Sequence, residues 1–115
     1  MAIYVNTSNP QSLVDGIKQQ IKEGKIDAWL CDDDGDFTHN NEQWRYKAWM
    51  RPVVETERVV FGVLCRKDKN LSVVDYAIYH GRFVEMLLTH FDKDCSDIKV
   101  SPLATKYDTI RASKE

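Results

Sequence analysis

Hydrophobic positions change their spacing along the chain, and each change predicts a new element. Residues 2–6, "AIYVN", place Ile3 and Val5 on one face, as a short strand does. Apolar side chains then recur at helical spacing over residues 13–21. Asn9 followed by Pro10 suits the start of this helix, because asparagine caps and proline needs no donor there. The chain therefore begins with a strand and an amphipathic helix, which Gly24 is placed to end in a left-handed conformation.

Three segments in the middle of the chain have the patterns of strands. Residues 25–31 and 44–55 alternate between two faces, and residues 58–66, "RVVFGVLCR", are apolar on both. Pro52 cannot donate to a ladder, so it marks an end, an edge or a bulge. The links between these segments are too short for parallel crossovers, which predicts an antiparallel meander.

A long helix follows over residues 71–95, with Ser72 and Asp75 at capping-box spacing after a charged loop at 67–70. A short strand is predicted around 98–100. The resulting fold class is α+β, with the order β-α-β-β-β-α-(β). We expect two layers, in which an antiparallel meander sheet of about three to five strands is covered on one face by two helices. Residues 1–103 form the single domain, and the polar residues 104–115 form a loosely ordered C-terminal tail.

Composition narrows the class of protein. The apolar fraction of 43% and charged fraction of 30% are typical of a globular chain, and a net charge of −2 gives no general attraction to nucleic acid or anionic lipid. No apolar run approaches the roughly 20 residues that span a bilayer. Three cysteines at long spacings do not suit a disulfide framework or a zinc site. We therefore expect a cytoplasmic protein with reduced thiols, no membrane partner and no bound cofactor.

An acidic loop connects the strands predicted over 25–31 and 44–55. A calcium loop of the EF-hand type would begin at Asp32, with Asp34 and Asp36 correctly at its third and fifth positions. Its sixth position would be Phe37 instead of glycine, and its twelfth would be Gln43 instead of glutamate. The loop thus has the first half of such a site and lacks the second.

The preferred interpretation of this loop is a type I′ hairpin turn at Asp34 and Gly35, because such turns need two positive φ angles. A weak divalent-cation site formed by Asp32, Asp34 and Asp36 would lie on top of the turn. A second interpretation is a metal-dependent hydrolase, in which His39 and Glu42 join the three carboxylates around an ion. Solvated acidic loops are more common than such centres, so the hydrolase is an alternative only.

The long helix is apolar over about twice the arc that a sheet-covering helix usually buries. One continuous stripe contains Val74, Ala77, Ile78, Gly81, Val84, Leu88 and Phe91. A second, aromatic flank with its neighbours forms the predicted interaction surface: Tyr76, Tyr79, His80, Phe83, Met86, Leu87 and His90. Either the helix is inserted between the sheet and the other helix, or this flank docks a protein partner or a second copy of the chain.

No catalytic residue is assigned on this helix. His80 and His90 lie about 15 Å apart along a helix axis and cannot share a metal ion by themselves. His80 and Arg82 project in nearly opposite directions, so they do not form one site. A lone helical histidine is more often a packing residue.

Cations alternate with aromatic residues in the strand predicted over 44–55. Arg45, Lys47, Trp49 and Arg51 would share one sheet face, together with Trp29 from a neighbouring strand. Such a face suits stacking of bases with phosphate contacts, as in single-stranded nucleic-acid binders. It equally suits cation–π pairs that cover a solvated sheet.

The sequence therefore favours a non-enzymatic module for protein–protein interaction or self-association, with a protein partner or a homo-oligomer. A single-stranded nucleic-acid binder is the second hypothesis, and a metal-dependent hydrolase at the acidic loop is the third. The first two hypotheses require exposed side chains on α-helical or sheet surfaces, and the third requires carboxylates that converge on one point. The fold determines which of these arrangements is present.

Overall fold

The computed structural model describes residues 1–66 and 71–111. Within them lie nine elements: β1 (Ala2–Asn6), α1 (Pro10–Lys22), β2 (Trp29–Cys31), β3 (Phe37–His39), β4 (Ala48–Glu55), β5 (Arg58–Arg66), α2 (Val73–His90), β6 (Asp97–Ser101) and β7 (Thr109–Arg111). The charged loop predicted over 67–70 and the end of the predicted tail, 112–115, lie outside the described residues.

The strands form one sheet in the order β2-β3-β4-β5-β1-β6, and every neighbouring pair in that order is antiparallel. β7 joins β5 in parallel, opposite Leu64 to Arg66. The predicted α+β class, with an antiparallel sheet and two helices, is confirmed. The predicted strand number was too low, because the sequence pattern did not reveal β3 and β7, each of which has only three residues.

Both helices pack on one face of the sheet. Ile3 and Val5 of β1, together with Phe61 of β5, lie in one buried cluster with Ile17 of α1 and Phe83 of α2. Side chains alternate along a strand, so this cluster collects every second residue of the central strands. The arrangement is the predicted two-layer one.

The helix ends follow the local signals closely. Pro10 stands in the first turn of α1, and Gly24 beyond its end has φ +78°. The Asn9 side chain makes no capping hydrogen bond, contrary to the sequence prediction. At α2, Ser72 and Asp75 form the predicted reciprocal capping box.

The sheet face away from the helices is partly covered by the chain that follows β6. A Cβ built on Gly62 in the middle of β5 would lie 2.1 Å from the Tyr107 carbonyl oxygen, so this backbone lies directly on the strand. The Asp108 carboxylate accepts from the Val63 N–H at 3.0 Å and from the Thr105 N–H at 2.7 Å. Residues 105–108 of the predicted tail therefore contact the sheet. The predicted division of the chain at residue 103 stays a prediction.

Candidate interaction surface

The acidic loop joins β2 to the unpredicted strand β3. The Asp32 N–H donates to the Asp36 carbonyl at 2.9 Å, and the Gly35 N–H donates to the Asp32 carbonyl at 3.0 Å. Within this loop only Gly35 has a positive φ, of +83°. The type I′ turn, which needs two positive φ angles, was therefore wrong. The connection is a longer hairpin loop with a single left-handed glycine.

Three carboxylates converge at this loop, since Asp32, Asp34 and Asp36 each place one oxygen within 4.8 Å of the others. Protein cations also stand there. Arg51 Nε lies 3.6 Å from an oxygen of the buried Asp36, and the Lys18 ammonium reaches the loop's glycine. These cations offset the negative charge that would otherwise attract an ion. A weak divalent-cation site at this loop stays a prediction.

His39 and Glu42 are not brought to these carboxylates. Among the described residues, the group able to hold a metal contains the three aspartates alone. His39 is buried against the Trp29 ring, with ring centroids 5.2 Å apart, and Glu42 is exposed. Of the arrangement that a metal-dependent hydrolase requires, the described chain thus assembles only the acidic part.

The predicted nucleic-acid face is not assembled either. Trp29 and Trp49 are only 1% and 3% exposed, so neither ring offers a stacking platform. Trp29 packs on the Phe83 ring at 4.9 Å, on the helix side of the sheet. Trp49 stacks instead with Tyr46 at 6.4 Å. The two tryptophans do not share an exposed face, which corrects the sequence interpretation.

The cations of that predicted face are dispersed. β4 begins only at Ala48, because Tyr46 has φ +62° and breaks the alternation that would have aligned Arg45 with the strand. The Lys47 ammonium lies 5.0 Å from the centroid of the Trp44 ring. Arg51 pairs with the acidic loop as described above. Arg45 is exposed but stands outside the strand.

The aromatic flank of α2 faces the protein interior. Its buried members are Tyr79, His80, Phe83, Met86 and Leu87. Tyr76 and His90 are half-buried, and the Tyr76 hydroxyl lies 3.2 Å from Cys65 Sγ, where burial raises the pKa of the tyrosine. The Tyr79 hydroxyl donates to the Trp44 carbonyl. Five of the seven residues predicted to form the interaction surface are therefore buried against the sheet, which corrects the prediction at those positions.

Burial lowers the pKa of two histidines. His80 Nδ1 donates to the Tyr76 carbonyl at 2.7 Å, and this bond only partly offsets the effect of burial on the pKa. Its Nε2 has no hydrogen-bond partner among the described residues. Burial likewise lowers the pKa of His39, with the Arg82 charge acting in the same direction. Both side chains are therefore stabilised as neutral imidazoles.

Acidification is expected to destabilise the protein between about pH 7 and 5. The folded-state pKa of His80 lies below its ordinary value of 6.5, so the unfolded chain binds more protons as the pH falls. The contribution of neutral His80 to the free energy of unfolding is therefore complete above the pKa of this histidine in the unfolded chain, and it is lost as the pH falls below that value. Urea unfolding at several pH values checks this. His80→Gln should flatten the pH dependence of the free energy of unfolding, whereas His90→Gln should preserve it. Equal pH profiles for the two variants would contradict the assignment of this effect to His80.

The exposed apolar surface includes part of the apolar stripe of α2. Leu88 is 58% exposed, and Val100 of the nearby strand β6 is 45% exposed. Between α2 and β6 runs a groove of about 350 Å³. Its apolar lining consists of Val84, Leu87, Leu88, Phe91, Ile98 and Val100.

β6 forms an edge of the sheet beside this groove. Val5 stands opposite Ile98 and Ile3 stands opposite Val100, so the side chains of Ile98 and Val100 lie on the helix side. Within the described part of the chain, β6 pairs only with β1. Its other side has no strand partner there, and Asp97, Lys99 and Val100 are exposed.

The hydrogen bonds of β1 show which way the backbone N–H and C=O groups of β6 point. The Thr7 N–H donates to the Glu57 carbonyl, just before β5, at 3.0 Å. The Asn6 carbonyl accepts from the Ser96 N–H at 2.9 Å, on the opposite side of β1. Because backbone groups alternate along antiparallel strands, Asp97 and Lys99 bond to β1. Ile98 and Val100 consequently direct their N–H and C=O groups outward at the open edge.

The sequence offered a partial signal for this surface. The alternation in "DIKVS" predicts a strand with Ile98 and Val100 on one face, but it does not say that the strand ends the sheet. Strand order depends on pairings between residues far apart in the chain. The sequence did not show that Leu88 is exposed, because α2 is apolar over most of its circumference.

No described helix combines the length and apolar character that a membrane crossing requires. Comparison with protein-family models gives no match, and neither the curated proteins nor the solved structures give one.

Proposed function

We propose that this protein is an interaction module that binds an extended polypeptide segment along the outer edge of β6. The segment would pair with the outward backbone groups of Ile98 and Val100. Its apolar side chains would enter the groove beside Leu88. Binding of this kind takes affinity from main-chain hydrogen bonds and specificity from pockets for alternate side chains.

The observation that carries this proposal is the combination of an open strand edge with an adjoining apolar groove. Proteins usually protect exposed edges with short strands, charges or covering elements. β6 has five residues, and the two residues whose backbone groups point outward at the edge, Ile98 and Val100, are both apolar. Scattered surface hydrophobic residues need no explanation, but Leu88 and Val100 line one groove together.

Replacing Val100 by proline is expected to weaken segment binding about tenfold or more. Proline removes the outward N–H while leaving the bonds of Asp97 and Lys99 to β1, and proline is tolerated on edge strands with that orientation. The loss of one main-chain bond corresponds to roughly this factor. The probe is a display library of random short peptides, selected on the wild type at low protein concentration.

Val100→Thr is the matched control, because it keeps the N–H and the β-branched shape. Wild type and Val100→Thr should enrich the same peptides, and these should shift the amide resonances of β6. Enriched peptides that bind Val100→Pro equally well would refute the proposal, as would amide shifts confined to other strands. A library that yields no enriched peptide for the monomeric protein would also count against it.

A further inference from the structure

We infer that the segment bound by β6 is β6 of a second copy of the chain, paired antiparallel about a twofold axis through Ile98. This inference rests on the proposed function and names its partner. It follows from the backbone directions along the strand and from the order of charges within "DIKVS". A symmetric dimer of this type joins two sheets into one continuous sheet.

Backbone geometry allows only some registers. The backbone N–H and C=O groups at the open edge of one copy must bond to the corresponding groups at the open edge of the other. Ile98 and Val100 must therefore stand opposite residues of the second copy whose backbone groups also point away from β1. Two symmetric registers bring outward groups together near the strand centre. One is centred on Ile98 and the other on Lys99, although the first of them leaves Val100 opposite Ser96, whose N–H donates to the Asn6 carbonyl.

Charge distinguishes these registers. Centring on Ile98 places Asp97 opposite Lys99 of the second copy, and the symmetry repeats this pair. Both side chains are exposed on the face away from the helices. Centring on Lys99 places the two lysines opposite each other, which is unfavourable. The sequence Asp97-Ile98-Lys99 is thus complementary to its own antiparallel copy.

The apolar side of the strand agrees with the same register. Ile98 would face its own copy at the axis, on the helix side of the joined sheet. The groove beside Leu88 would then continue into the equivalent groove of the second copy. Two exposed Leu88 side chains would flank the axis from the two α2 helices, which removes apolar surface from water.

Charge reversal tests the partner and the register together. Asp97→Lys and Lys99→Asp each convert two attractive cross-strand pairs into two repulsive ones, so each variant alone should dimerise at least about tenfold more weakly than wild type. An equimolar mixture should recover dimerisation, because lysines at 97 and 99 of one copy then face aspartates of the other. Sedimentation equilibrium measures all of these. Lys22→Asp on α1 is the matched control and should dimerise as the wild type does.

Asp97 also accepts a hydrogen bond from Asn6 Nδ2 at 2.6 Å, so Asp97→Lys could fail to fold. A disulfide provides an independent measurement. Ile98→Cys in a Cys95→Ser background should form a covalent dimer on mild oxidation, since Cα atoms of a hydrogen-bonded strand pair lie about 5.5 Å apart, within disulfide range. Lys99→Cys in the same background should cross-link far less.

A wild type that stays monomeric at high concentration would overturn the inference, as would a mixture that fails to recover or cross-linking that favours Lys99→Cys. If such a monomer still enriches peptides that bind at β6, the proposed function stands and only the identity of the partner is wrong. A dimer equally stable with Ile98→Pro, which removes the outward N–H at the axis, would overturn the inference.

Discussion

Replacing Phe83 by alanine is expected to lower the free energy of unfolding by about 3–5 kcal/mol. The Phe83 side chain is fully buried, and its ring centroid lies 4.6 Å from that of Phe61 and 4.9 Å from that of Trp29. Removing the ring leaves a cavity between α2 and the sheet that rigid neighbours cannot fill. A loss of this size approaches the whole stability of a small domain, so much of the population should unfold in mild urea.

Urea unfolding followed by circular dichroism measures the effect. Leu88→Ala, at an exposed position one turn and a residue further along α2, is the matched control and should change the stability by less than about 0.5 kcal/mol at low protein concentration. The comparison also tests the orientation of the helix. If the aromatic flank were the docking surface, Phe83→Ala would leave stability unchanged and Leu88→Ala would unfold the protein.

Local signals predicted the long strands and the helix starts. β1 and β5 have the bounds read from their apolar patterns, because a continuous or alternating run of five residues or more specifies a strand by itself. The capping box at Ser72 was equally clear. These features depend on residues that are close in sequence.

The orientation of α2 could not be read from its sequence. When both arcs of a helix are apolar, the hydrophobic pattern gives no direction toward the core. The arc that the sheet selected carries Tyr79 and Phe83, whose rings fill the space over Trp29 and Phe37. These neighbours come from β2 and β3, far from α2 in the sequence.

The predicted nucleic-acid face was misread for a related reason. Trp29 packs on the helix side of the sheet, not on the outward face that its strand pattern predicted, and the burial of Trp29 and Trp49 follows from tertiary contacts. The edge at β6 depends on the pairing of β1 with both β5 and β6. None of these contacts is local, and a single sequence does not encode them in its periodicity.

Gly62→Ala is expected to destabilise the protein by about 1–3 kcal/mol and to release residues 105–108 from the sheet. A Cβ at this position would lie 2.1 Å from the Tyr107 carbonyl oxygen and 2.6 Å from its carbonyl carbon. Both atoms belong to the backbone, so no side-chain rotation can relieve the overlap. Displacing this segment would also break the bond from the Val63 N–H to Asp108.

Thermal unfolding and limited trypsin digestion check this prediction, because Lys106 lies within the segment that should be released. Gly81→Ala is the matched control: a Cβ there meets no atom within 4 Å, and alanine favours a helix interior by up to about 1 kcal/mol. Gly62→Ala should melt earlier and be cut faster at Lys106, while Gly81→Ala should not. Wild-type melting and cleavage in Gly62→Ala would instead mean that residues 104–115 form the loose tail predicted from the sequence, because a segment without a fixed position on β5 can move aside at no cost.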